Sequence, residues 1–119
     1  MRSLFIVDDS PLIIERLLSM LEGLLPPEQI AYAGSYGEAL SLIDPNPPDI
    51  LLLDVHLPGK SGVELLRVVR KRYPAIAVIM ISNQSDESYR AVCAALGAQH
   101  FLDKSTEFEE IPALILSML

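Results

Sequence analysis

The sequence predicts an α/β fold: a doubly wound, five-stranded parallel sheet with five helices. Short apolar runs recur at Leu4 to Val7, Ile30 to Ala33, Ile50 to Leu53, Ala75 to Ile81 and Gln99 to Leu102. Longer stretches with helical spacing separate them, and that alternation marks repeated βα units. The runs are continuously apolar rather than alternating, so helices are expected on both sheet faces. With 119 residues and no internal linker or repeat, the chain reads as one domain, 1–119, around one core.

The first helix has clear start signals. Ser10 is a candidate N-cap, and Pro11 falls at the first helical position. At about 100° per residue, Ile13, Ile14, Leu17, Leu18, Met20, Leu21, Leu24 and Leu25 share an arc of roughly 160°. Leu12 falls on the opposite, polar side, where it reads as an ordinary isolated surface leucine or, less favoured, as a docking residue for a partner protein near the Asp54 strand end. Pro26-Pro27 is the expected stop. The second helix spans about Tyr36 to Ile43, and Asp44-Pro-Asn-Pro-Pro48 makes a stiff turn into the third strand. The third helix reads as Gly62 to Tyr73, stopped by Pro74. The fourth reads as Ser85 to Leu96, broken by Gly97. Thr106 and Glu109 have capping-box spacing, but Pro112 argues for an irregular first turn and a regular helix only from about that proline. The sequence stops on ALILSML, which suits a domain excised from a longer chain as well as a small protein ending on a helix.

Composition narrows the function classes. Nine basic and 16 acidic residues give a net charge of −7, with no electrostatic footprint for direct nucleic-acid binding. A bound cation or a basic face on a partner fits better. Cys93 is the only cysteine, so neither an intrachain disulfide nor a cysteine metal pair exists; it reads as a small packing residue. No apolar run reaches the roughly 18 to 20 residues that span a bilayer. The start, MRSLFIVDDSP, lacks the apolar length of a signal peptide. A cytoplasmic protein with no membrane contact is expected.

Ligands of parallel α/β sheets bind beyond the carboxyl ends of the strands. Strand one ends in Asp8-Asp9, strand three in Asp54, strand four in Ser82-Asn83 and strand five near Asp103-Lys104. Carboxylates, a hydroxyl and an ammonium from distant segments therefore converge on one edge. Any one aspartate could be a plain cap, but three at matching strand ends repel one another unless a cation sits among them. Two or three carboxylates suit Mg²⁺ better than a dedicated Ca²⁺ cage, and zinc would have only His56 and His100 to draw on. Lys104 and Ser82 beside such a cation suit phosphoryl oxygens. A carboxylate can itself be the nucleophile. Asp54 is best placed, because the turn-rich Leu57-Pro-Gly-Lys-Ser-Gly62 loop leaves its approach open.

Over nearly its whole length the chain resembles the receiver domain of bacterial two-component response regulators. The stretches LFIVDDSP, DILLLDVHLPGKSGVELL, VIMIS and ALGAQHFLDKS carry the resemblance, in order and spacing. It implies that Asp54 is the phospho-acceptor, that Asp9 binds Mg²⁺ directly and Asp8 through water, and that the His56 backbone carbonyl is a further metal ligand. It implies Lys104 as the phosphate-binding lysine, Ser82 as the switch hydroxyl and Phe101 as the switch aromatic. The implied phosphodonor is a histidine kinase or a histidine phosphotransfer protein. The implied readout is the surface of the fourth helix, fifth strand and fifth helix, with Tyr89, Arg90 and Ala94 as candidates, contacting an output domain or a second copy. Such a domain catalyses only its own phosphorylation and dephosphorylation. Two departures matter: Ser105 stands where the family usually has a proline, often cis, and Phe101 has no hydroxyl, so any switch there works by packing. His56 and Gln84 flank the expected phosphate and are placed to tune its hydrolysis.

Other readings fit less well. A haloacid-dehalogenase-type phosphatase would need an acid two residues after the nucleophile, where this chain has His56. A flavin binder would need a hydroxyl- or glycine-rich loop after strand one, where Asp-Asp-Ser-Pro stands. A degenerate receiver acting only through protein contacts would not need Asp8, Asp9, Asp54, Ser82 and Lys104 together.

Overall fold

The computed structural model describes residues 2–83 and 87–119. Five strands, β1 (Leu4–Val7), β2 (Ile30–Ala33), β3 (Ile50–Asp54), β4 (Ala77–Ser82) and β5 (His100–Asp103), pair in parallel in the order β2-β1-β3-β4-β5. Five α-helices alternate with them: α1 (Pro11–Leu21), α2 (Tyr36–Ile43), α3 (Gly62–Arg72), α4 (Glu87–Ala95) and α5 (Ile111–Met118). Short 3-10 turns precede β2 and α5. The expected start of α4 at Ser85 lies outside the described residues, as does Gln84.

The central strands β1, β3 and β4 are buried on both faces, whereas the edge strand β2 buries only Ala33, and the strand period of two sorts the core into two layers. Phe5, Val7, Leu51, Leu53, Val78 and Met80 pack with Ile43, Leu65, Val69 and Cys93 under α2, α3 and α4. Leu4, Ile6, Ile50, Leu52, Ile79 and Ile81 pack with Leu17, Leu21, Ile111 and Ile115 under α1 and α5. Because β1 sits between β2 and β3, the chain winds in opposite directions from it, and a crevice opens at the carboxyl ends of β1 and β3.

Several boundaries differ from the sequence reading. Helix α1 starts as expected, with the Ser10 hydroxyl accepting the Ile13 N–H at 3.3 Å, but it ends at Leu21 rather than running to the prolines. Gly23 takes a φ of 81° there, and the N–H groups of Leu24 and Leu25 fold back to the Leu21 carbonyl. The turn keeps Leu25 buried but leaves Leu24 41% exposed, removing it from the predicted core stripe. Strand β4 begins at Ala77, because a turn closes from the Ile76 N–H to the Tyr73 carbonyl. Strands β3 and β5 each extend one residue further, to Asp54 and Asp103. The Thr106/Glu109 capping box does not form: neither the 3-10 turn nor α5 has a side-chain cap. Glu107 instead uses its carboxylate to accept the Asp103 N–H at 3.0 Å. Helix α5 takes Pro112 into its first turn, where no intrahelical N–H is required.

Arg70 ties three segments together at the opposite end of the sheet. Its guanidinium donates to the carbonyls of Pro74 (2.9 Å), Ile76 (2.8 Å) and Gly97 (2.8 Å), and to the Gln99 side chain (3.3 Å). The same Gln99 oxygen accepts the Val78 N–H at 2.7 Å. Arg70→Met therefore lowers unfolding free energy by about 2 kcal/mol in urea titration. Arg70→Lys recovers little of it, since an ammonium cannot reproduce the planar fork.

Candidate functional site

The site is built at the crevice from residues that follow three strand ends. Strand β1 delivers Asp8 and Asp9, β3 ends on Asp54, and β5 leads into Lys104. Register carries Ser82 to the same edge: Asp54 pairs with Ile81, and Ser82 pairs with Asp103. The Lys104 N–H donates to the Ser82 carbonyl at 2.8 Å, which fixes where the lysine leaves the sheet.

The charges are close and nearly dry. Asp8 is fully buried, and Asp54 is 4% exposed. The Lys104 Nζ lies 2.5 Å from Asp8 Oδ2 and 3.1 Å from Asp54 Oδ2. Asp54 Oδ1 accepts the His56 N–H at 3.2 Å, and Asp8 Oδ1 accepts the Ser10 N–H at 2.9 Å. Asp9 is exposed, and one carboxylate oxygen from each of Asp8, Asp9 and Asp54 falls within 4.8 Å of the others. Burial pushes the Asp54 carboxyl above the usual carboxylate range. The Lys104 charge opposes that shift, the Asp8 charge adds to it, and the hydrogen bonds from Lys104 and the His56 N–H oppose it; the net direction is upward.

One ammonium cannot neutralise three carboxylates. Asp8 Oδ2 meets the Lys104 ammonium as an ion pair and has no hydrogen-bond donor besides it among the described residues. A close set of three carboxylates whose charge exceeds that of its one ammonium is what a hard divalent cation binds, so the residues fit Mg²⁺.

The remaining expected residues fall around this cluster. His56 presents its ring edge-on to Tyr89, centroids 5.3 Å apart at 88°. Phe101 is buried, with the Arg90 guanidinium 4.8 Å from its ring centroid and donating to its carbonyl at 2.9 Å. Arg90 also lies 3.8 Å from the Glu107 carboxylate. The aromatic therefore already occupies a packed position. Ser105 follows Lys104 through a trans peptide bond, like every other peptide bond among the described residues. Its N–H and hydroxyl both donate to Asp103 Oδ1, at 2.7 and 2.5 Å. The loop is thus shaped by side-chain hydrogen bonds where a proline is usual.

Sequence reasoning missed the part played by Gly62. Its N–H donates to the Val55 carbonyl at 2.8 Å, and a Cβ built on it would lie 1.8 Å from the Asp54 carbonyl oxygen. The signal was present as a glycine at the helix start, but nothing local marks which backbone it approaches.

Comparison with known proteins agrees with this geometry. The model of the response regulator receiver domain matches residues 4–116. The DNA-binding transcriptional activator EvgA of Escherichia coli K12 is 33% identical over 110 residues, covering 92% of this chain and 53% of EvgA. The transcriptional regulatory protein MalR of Bacillus subtilis is 35% identical over 112 residues, covering 92% and 46%. The chain thus spans about half the length of the curated relatives it matches. Among solved structures, the response regulator TrrA of Thermotoga maritima, in complex with Mg²⁺-BeF, superimposes with a TM-score of 0.86. It is 28% identical, with both chains fully covered. Five parallel strands in the order 2-1-3-4-5, acids grouped at the crevice and a family match over nearly all of the sequence lead to one conclusion: the chain belongs to the response regulator receiver domain family.

Proposed function

We propose that this chain is a single phospho-acceptor signalling domain in which Asp54 takes a phosphoryl group from a phosphohistidine on a histidine kinase or histidine phosphotransfer protein. The observation that carries this reading is the buried Asp54–Lys104–Asp8 set, with one ammonium against two buried carboxylates and Asp9 at its rim. Aspartate phosphorylation and Mg²⁺ binding are typical of the family, and TrrA carries Mg²⁺ with the phosphoryl analogue BeF.

In this reading Asp9, Asp54 and the His56 backbone carbonyl would hold Mg²⁺ directly and Asp8 through water. When bound, the ion neutralises charge on phosphoryl oxygens. Lys104 favours the ionised Asp54 against the penalty of burial, and the His56 N–H fixes the carboxylate orientation. An Asp54 oxygen attacks phosphorus, the new O–P bond forms as the P–N bond breaks, and the donor imidazole leaves with the electron pair and takes up a proton. Lys104 and Ser82 then bond the phosphoryl oxygens. Ser82 moves toward the phosphoryl group and Phe101 repacks by rotamer, which alters the Arg90 and Glu107 contacts and so reaches the α4/β5/α5 surface. That surface, including Tyr89, Arg90 and Ala94, contacts an output domain or a second copy. The domain works in the cytoplasm and catalyses no reaction beyond its own phosphorylation and dephosphorylation.

Intact mass after incubation with acetyl phosphate tests the proposal. One phosphoryl group is gained with Mg²⁺, none with chelator, and none in Asp54→Asn. Absence of that gain, together with no Mg²⁺-dependent beryllofluoride binding, replaces this reading with a receiver that acts through protein contacts alone.

A further inference from the structure

A trough runs along the outer edge of the sheet, between α1 and the edge strand β2. Two depressions of about 350 and 340 Å³ share Leu18 and Tyr32 as common walls. Buried Ile14, Leu21 and Leu25 underlie the trough, and its accessible apolar surface comes from the half-buried Leu18 and Ile30 and from Tyr32. Tyr32, on β2, is 52% exposed and offers an apolar ring face with a polar tip at the middle of the trough. The rim is acidic: Glu15, Glu22 and Glu38 line the two depressions, the first of which opens at its upper end onto Asp8 and Asp9 of the site, and no lysine or arginine lines them among the described residues.

We propose that this trough docks a cationic amphipathic helix of a partner protein, separate from the phosphodonor. Ile14, Leu18 and Leu21 follow helical spacing along α1, and Glu15 and the C-cap Glu22 lie seven residues apart, two turns or about 10 Å. A docking helix with leucine-type residues at i, i+3/4 and i+7, and lysines or arginines flanking them, meets both features at once. Charge selects this occupant over the alternatives. A second copy of this chain, net charge −7, would set acidic rim against acidic rim. An anionic membrane surface would be repelled in the same way.

The probe is a short leucine/lysine peptide patterned as an amphipathic helix, titrated against the full chain by calorimetry and by amide chemical-shift mapping. Its control is a scrambled peptide of identical composition. The patterned peptide shifts resonances of Leu18, Leu21, Ile30 and Tyr32 and binds at least about tenfold more tightly than the scrambled one. Added salt weakens it. Glu15→Lys with Glu22→Lys, and separately Tyr32→Ser, each weaken binding about tenfold while leaving the far-UV spectrum and acetyl phosphate uptake unchanged. Equal affinity for the scrambled peptide, or shifts mapping to α4 and α5, overturns the proposal. Concentration-dependent self-association lost in Tyr32→Ser, without peptide binding, also overturns it and gives the trough to a second copy.

Discussion

Gly62→Ala is expected to destabilise the domain by about 3 kcal/mol, at the upper end of what overpacking one methyl group costs. The added Cβ would lie 1.8 Å from the Asp54 carbonyl oxygen and 2.8 Å from its carbonyl carbon. Both neighbours are backbone, so no side chain can rotate away. The start of α3 must lift, or the end of β3 must sink. Either movement strains the hydrogen bond from the Gly62 N–H to the Val55 carbonyl and turns the Asp54 carboxylate away from Lys104. Loss of acceptor function should therefore accompany loss of stability. Gly37→Ala is the matched control: it lies in α2, a Cβ there would meet nothing within 4 Å, and the change should stabilise by about 0.5 kcal/mol. Chemical denaturation of both variants, with acetyl phosphate uptake on each, checks the pair. A Gly62→Ala protein of native stability would mean that the close approach to Asp54 does not constrain the site.

This contact also shows where sequence reasoning ends. Asp54 is legible because a carboxylate closing an apolar strand is energetically odd, and Asp8-Asp9 and Lys104 repeat that oddity at other strand ends. Parallel order then brings them together with no further information. The start of α1 is legible because Ser10 and Pro11 act on their own helix. Its end is not, because Gly23 adopts a positive φ two residues beyond the last helical turn while Leu25 still returns to the core. The capping box at Thr106 and Glu109 has the right spacing but does not form, because the turn that follows is a 3-10 turn that starts at Phe108 with Glu107 as its N-cap. Arg70 and Gly62 depend on contacts with segments whose positions only the assembled fold supplies. Local chemistry can be read from the chain, whereas competition for a partner and clearance between backbones cannot.

The charge balance of the site yields opposite effects from its two central residues. In the metal-free protein, buried Asp8 and Asp54 face a single buried Lys104. Lys104→Met leaves both carboxylates without their cation and should cost about 3–5 kcal/mol, as breaking a buried pair does. Asp54→Asn leaves the Lys104–Asp8 pair intact and removes the surplus charge, so it should raise the Tm of the metal-free protein at neutral pH. The pH dependence follows from the raised Asp54 carboxyl. Between the unfolded value of 3.8 and its higher folded value, the folded chain binds more protons than the unfolded one. Stability contributed by this group is therefore greatest at or below the unfolded value and falls as pH rises through the folded one. The difference between wild type and Asp54→Asn, measured by thermal melts across that window, should widen in favour of the variant as pH increases. Adding Mg²⁺ should reverse the order, because the ion stabilises the ionised carboxylates of the wild type and finds one ligand fewer in the variant. Lys104→Met should gain the most from Mg²⁺, since its uncompensated carboxylates gain a cation. If Asp54→Asn melts below wild type without metal at every pH, the Lys104–Asp54 pair outweighs the burial penalty and the ordering of forces in the site is the reverse of that derived from its geometry.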